Sequence, residues 1–200
     1  MGRTGHLFAY DAEAIVPDIL CIAKGLGSGY QPIGAMLCTK NIYETISEGS
    51  GFFQHGHTYL GHPVAAAAGL AVVQEIIAQD LVQKVQDKSK YLEYQLRYRF
   101  EQNPHVGDIR GRGFFWGLEF VRDRQKRLPF ESDIGLAAKL KKAAFDEGLI
   151  CYPMPGTRDG KNGDHVLLAP PFIAKEEEIN QALDGLSRAI EKVVYETNLT

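Results

Sequence analysis

The residue best placed for chemistry is Lys24. It follows the apolar run Ile19-Leu20-Cys21-Ile22-Ala23 and opens onto Gly25-Leu26-Gly27-Ser28-Gly29. A run of that length and composition reads as a buried strand, which puts the amine at a strand end in a partly dry place. Desolvation disfavours the ammonium form and makes the neutral, nucleophilic amine accessible near neutral pH. The competing reading is a strand-end lysine that reaches to water along its own methylene stem, and position alone favours that one. Other chemistries find less support. His55, His57 and His62 lie on a glycine-rich segment where alternate residues point the same way. No HExxH and no companion acidic pattern accompanies them, so no metal site is expected. The glycine string after Lys24 puts Tyr30 where a dinucleotide fingerprint needs its third glycine, and no GxxxxGK[ST] occurs, so both phosphate-loop readings fail. Ser28 and Ser47 lack the GxSxG setting of a serine hydrolase. Cys21, Cys38 and Cys151 form no CxxC pair, which argues against a disulfide framework or a zinc ribbon and for a reducing cytoplasm.

The elements that must position Lys24 point to an α/β fold. Ile33 to Cys38 reads as a second buried strand, and buried strands without alternation imply a sheet covered on both faces. A short helix is predicted over Asn41 to Ser47, and a longer one from Pro63 through four alanines to about Gln79. Leu81 to Phe100 has the spacing of an amphipathic helix, ended by Asn103-Pro104. Beyond it the pattern predicts strands at Phe114 to Val121, Leu149 to Cys151 and Val166 to Leu168. Helices are predicted near Ile134 to Glu147 and from Lys175 to Tyr195. The second half is thus an α+β layout, and the domain boundary is placed near residue 80, giving 1–79 and 80–200.

The chain has 200 residues, with 44% hydrophobic and 24% charged, and 22 Lys+Arg against 25 Asp+Glu. That is globular composition with no basic excess to recommend a nucleic-acid or anionic-membrane partner. No stretch has transmembrane length, and the start lacks a signal-peptide layout.

The segment Pro17-Asp18-Ile19-Leu20-Cys21-Ile22-Ala23-Lys24-Gly25-Leu26-Gly27, followed by Pro32-Ile33-Gly34-Ala35, resembles the cofactor-lysine region of class III aminotransferases, which use pyridoxal phosphate (PLP). Further strings stand in family order. They are Gly2-Arg3-Thr4-Gly5, His55-Gly56-His57-Thr58-Tyr59-Leu60-Gly61-His62-Pro63, Gly111-Arg112-Gly113 before Trp116-Gly117-Leu118-Glu119, and Ala169-Pro170-Pro171-Phe172. The resemblance spans nearly the whole chain and reverses the reading of Lys24, which becomes the Schiff-base lysine.

That resemblance implies a fold-type-I PLP-dependent transferase: the C-terminal part of the large domain, followed by the small α+β C-terminal domain. It implies amino-group transfer from an amine or amino acid to a 2-oxo acid, with Lys24 carrying the cofactor and moving the Cα proton. Thr58, with His57 beside it, matches the residues that bind the cofactor, the threonine holding its phosphate from the neighbouring subunit, so a homodimer is expected. The carboxylate that keeps the pyridine nitrogen protonated lies upstream of Gly2 in the family, so the chain is read as N-terminally truncated. Ornithine, acetylornithine and 4-aminobutyrate branches carry a substrate-binding arginine where Leu167 stands. The loop Gly156-Thr157-Arg158-Asp159-Gly160 resembles instead the omega-amino acid and amine:pyruvate branch, which makes Arg158 the candidate for the substrate carboxylate. A solvated loop arginine is the competing reading of Arg158, and Arg110 and Arg112 are read as structural. Two alternatives stay open: a chain inactive alone, and a PLP aminomutase, decarboxylase or epimerase of the same family.

Overall fold

The computed structural model describes residues 1–196. It divides into two compact units. Met1–Gly2 and His6–Val82 form the first, while Arg3–Gly5 join the residues from Gln83 onward in the second.

In the first unit, β1 (Ile19–Ile22) and β2 (Ala35–Cys38) pair antiparallel, Ile19 opposite Cys38 and Ile22 opposite Ala35. Helix α1 (Lys40–Glu48) follows β2, and α2 (Pro63–Ala78) follows a long turn-rich stretch. The expected burial of both strands is corrected here. Ile19 is 56% exposed, and every residue of β2 is exposed. The strands pair only with each other among the described residues, and a two-stranded ribbon cannot enclose its own apolar faces.

Helix α3 (Leu81–Phe100) carries the chain into the second unit, where β3 (Val106–Arg112), β4 (Phe115–Phe120), α4 (Leu136–Asp146), β5 (Tyr152–Pro155), β6 (Asp164–Leu168) and α5 (Glu176–Glu196) follow. The four strands form one antiparallel sheet in the order β3-β4-β6-β5. Trp116, Leu118 and Phe120 alternate along β4, and with Ile109, Val166 and Leu168 they face the core. Against that face stand Leu92, Leu96 and Phe100 of α3, Leu140 and Ala144 of α4, and Leu183, Leu186 and Ile190 of α5. The four- and three-residue spacing on α3 and α5 puts each set on one helix face, and each fully buried leucine contributes about 1.5–3 kcal/mol. Strand β3 was not expected. Only Val106 and Ile109 of it are buried, and its register shifts at Gly107, so neither alternation nor an apolar run marks it. The expected strand at Leu149 to Cys151 forms three residues later, as β5.

The excursion of Arg3–Gly5 into the second unit joins three of the strings that carried the family resemblance. The Phe114 N–H donates to the Arg3 carbonyl at 2.8 Å. The Arg3 guanidinium donates to the Pro170 and Phe114 carbonyls and lies 4.6 Å over the Phe172 ring. Gln86 donates to the Gly5 carbonyl. Gly113 makes the approach possible: its φ is +60°, and a Cβ there would lie 2.5 Å from the Thr4 carbonyl carbon and 2.6 Å from the Arg3 oxygen. Burial lowers the Arg3 pKa from its ordinary value, and among the described residues no carboxylate offsets that burial.

Candidate active site

Lys24 begins a single 3-10 turn, Lys24–Leu26, where the chain leaves β1. Its φ of 51° is left-handed, a conformation that costs a non-glycine residue about 1–2 kcal/mol. The Leu26 N–H donates to Ala23 and the Gly27 N–H to Lys24 itself, both at 3.1 Å, so the turn is closed on both sides. Buried Leu26 anchors it against α2 at Gly69, where an added Cβ would lie 3.2 Å from Ile33 Cδ1 and 3.8 Å from Leu26 Cγ. The expected dry strand end is corrected: the Lys24 side chain is exposed, because β1 itself is uncovered among the described residues.

Helix α2 also orders the segment containing His57 and Thr58. Pro63 occupies its first turn, and His62 caps it by accepting the Ala65 N–H on Nδ1 at 3.3 Å. Ahead of the cap, the Leu60 N–H donates to His57 at 3.0 Å and the His62 N–H to Tyr59 at 3.1 Å. His57 and Thr58 are exposed in this turn, and neither the Thr58 hydroxyl nor its N–H has a partner among the described residues. One helix therefore holds the Lys24 turn on its flank and the His57–Thr58 turn at its start. The cap by His62 was not foreseen, although a polar residue before Pro63 is its signal.

Arg158 belongs to the second unit, on the loop between β5 and β6, and its side chain is exposed. Asp159 fixes this loop. Its Oδ1 accepts the Asn162 N–H at 2.7 Å and the Lys161 N–H at 2.9 Å, and its Oδ2 accepts from Asn162 Nδ2 at 2.9 Å. The Asn162 backbone N–H, then its side chain and the Lys161 N–H, hold the Asp159 carboxyl down at about 2. Leu167 stands on β6 between Gly117 and Tyr152. Arg110 bridges Asp108 and Glu119 across β3 and β4, as its structural reading requires. Among the described residues no cluster of three or more His, Cys, Asp or Glu offers a metal site. A concavity of 480 Å³ in the second unit is lined mainly by aliphatic residues and includes none of the candidate residues.

The family model for class-III aminotransferases matches residues 1–190. An aminotransferase of Gibberella zeae is 40% identical over 191 residues, which are 95% of this chain and 37% of that protein. A transaminase from the marine bacterium Virgibacillus superposes with a TM-score of 0.89 at 32% identity, covering 98% of this chain and 43% of that one. A PLP-bound aminotransferase mutant from Vibrio fluvialis gives 0.88 at 32% identity, covering 98% and 42%. The fold is thus that of PLP-dependent transaminases, and the chain belongs to the class-III aminotransferase family, whose cofactor is pyridoxal phosphate. It spans about 40% of the length of these relatives.

The residues present fit that cofactor. Lys24 offers a primary amine on a closed turn, and Thr58 offers a hydroxyl and N–H that have no partner among the described residues and suit a phosphate dianion.

Proposed function

We propose that the protein transfers an amino group from an amine or amino acid to a 2-oxo acid, with PLP held on Lys24. The observation that carries this reading is Lys24 itself, within a family match that runs over residues 1–190. PLP supplies the electron sink that stabilises negative charge on the substrate Cα. Lys24 Nζ would hold the cofactor and, once the amino donor has displaced it, would be the free amine that carries the proton removed from the substrate Cα. The closed 3-10 turn fixes the root of this side chain, so proton transfer is a swing of its methylene stem. Thr58 donates its hydroxyl to the cofactor phosphate, with His57 alongside. We assign this contact to the neighbouring subunit of a homodimer. That assignment is what the resemblance of the His55–Pro63 string to the class III family implies for Thr58. Arg158 grips the substrate carboxylate through paired N–H donors. The leucine at 167 and an unpaired arginine at 158 together favour the omega-amino acid and amine:pyruvate branch. Three free cysteines, two of them exposed, fit a reducing cytoplasm.

Borohydride reduction of the PLP-loaded protein followed by peptide mapping tests the assignment. The label is expected on Lys24, and a label on another lysine would overturn it.

A further inference from the structure

We infer that Asp159 and Thr157 are positioning residues for Arg158, holding the backbone beneath it in one shape so that its guanidinium meets a substrate carboxylate from a fixed base. This rests on the reading of Arg158 given above.

At least five of the ten arginines have a carboxylate partner. Arg97 pairs with Glu93, Arg99 with Asp184, Arg110 with Glu119, Arg122 with Glu131 and Arg188 with Glu147. Arg158 makes no ion pair among the described residues, although a carboxylate is its next neighbour in the chain. The reason is visible in the loop. Both oxygens of Asp159 are committed to donors of Lys161 and Asn162, so the acid orders the backbone and acts on Arg158 only through space, without an ion pair. The loop closes further through the Thr157 N–H to Gly163 at 3.1 Å, the Arg158 N–H to Asn162 at 3.0 Å and the Gly160 N–H to Gly156 at 3.0 Å. The Thr157 hydroxyl bonds His165 Nδ1 on β6, a strand flanked on both sides by β4 and β5. The base of Arg158 is therefore bolted to an interior strand of the sheet. A guanidinium on an ordered base loses less freedom when it binds an anion than one on a loose loop.

A different role for Asp159 predicts the opposite sign. A negative charge beside Arg158 weakens its attraction for an anion, so removing that charge would tighten carboxylate binding. Asp159→Ala removes charge and brace together, whereas Asp159→Asn removes the charge and keeps an acceptor oxygen for the loop N–H groups.

The experiment measures KM and kcat in the PLP-loaded protein with pyruvate as acceptor and with an arylalkylamine donor lacking a carboxylate. Amide hydrogen exchange over residues 160–163 is followed in parallel. Asp159→Ala is expected to speed that exchange and raise the pyruvate KM by about twofold to tenfold, with the amine KM and kcat unchanged. Asp159→Asn and Thr157→Ser should stay near the parent, while Thr157→Val should follow Asp159→Ala. A pyruvate KM that falls in both Asp159 variants, or does not move while exchange accelerates, overturns the positioning role and leaves Arg158 in place. Arg158→Leu separates the two readings. It should raise the pyruvate KM beyond any of the other variants, and an unchanged KM there refutes the carboxylate role of Arg158 and this inference with it.

Discussion

Replacing Gly113 by alanine tests how tightly the second unit holds the Arg3–Gly5 strap. Alanine at φ +60° costs about 1–2 kcal/mol from the left-handed conformation alone. Its Cβ would also lie 2.5 Å from the Thr4 carbonyl carbon, 2.6 Å from the Arg3 oxygen and 2.8 Å from the Gly5 nitrogen. All three are backbone atoms, so no side-chain rotation relieves the overlap and the strap must retreat. Retreat breaks the 2.8 Å bond from the Phe114 N–H to Arg3 and the donation from Arg3 to Pro170, at about 1 kcal/mol each. It also loosens the guanidinium from the Phe172 ring, worth about 0.5–1 kcal/mol. The sum is about 3.5–5 kcal/mol, a large part of the stability of an ordinary domain. Gly135 is the control: its φ is +64°, and nothing lies within 4 Å of an added Cβ, so Gly135→Ala carries only the conformational cost. Urea unfolding followed by the single tryptophan, Trp116, reads the second unit because that indole is buried in its core and donates to the Gly113 carbonyl at 2.9 Å. Gly113→Ala should lose clearly more stability than Gly135→Ala. Equal losses would show that the strap is not held as described.

Thr58→Ala should weaken PLP binding by about 1–3 kcal/mol through loss of a charged hydrogen bond, and an unchanged affinity by equilibrium dialysis would reject the phosphate role. Burial pushes the Cys151 thiol up to about 11, which leaves about 0.1% thiolate at pH 8. Iodoacetamide at that pH should therefore spare Cys151 while it labels exposed Cys21 and Cys38, and mass spectrometry showing Cys151 labelled as fast would contradict its burial. The Asp159 carboxyl is depressed, so the charge-assisted part of its hydrogen bonds is present above the ordinary carboxylate value and is lost as pH falls through about 2. The Asn162 amide resonance should titrate with that midpoint, and a midpoint near 4 would mean that the brace is absent in solution.

Local pattern was enough to find the helices of both units and most strands of the second, whereas for Lys24 it favoured a solvated amine and only the family resemblance proposed the reactive one. Periodicity and punctuation are written within a few residues of where they act: Pro63 starts α2, and the spacing of Leu92, Leu96 and Phe100 turns one face of α3 inward. The Asp159 brace is local too, since an aspartate ahead of Gly160-Lys161-Asn162 is a turn signal. Burial was decided elsewhere. The apolar run of β1 predicted a dry strand end, but dryness depends on what covers the strand, and among the described residues only β2 pairs with it. The role of Arg3 was likewise out of reach of local pattern. Its partners lie 111 and 167 residues away, and no spacing rule links a guanidinium to the carbonyls of Phe114 and Pro170. Only the folded chain brings them within a hydrogen bond, with the strap lying against Gly113, where a side chain would collide with it.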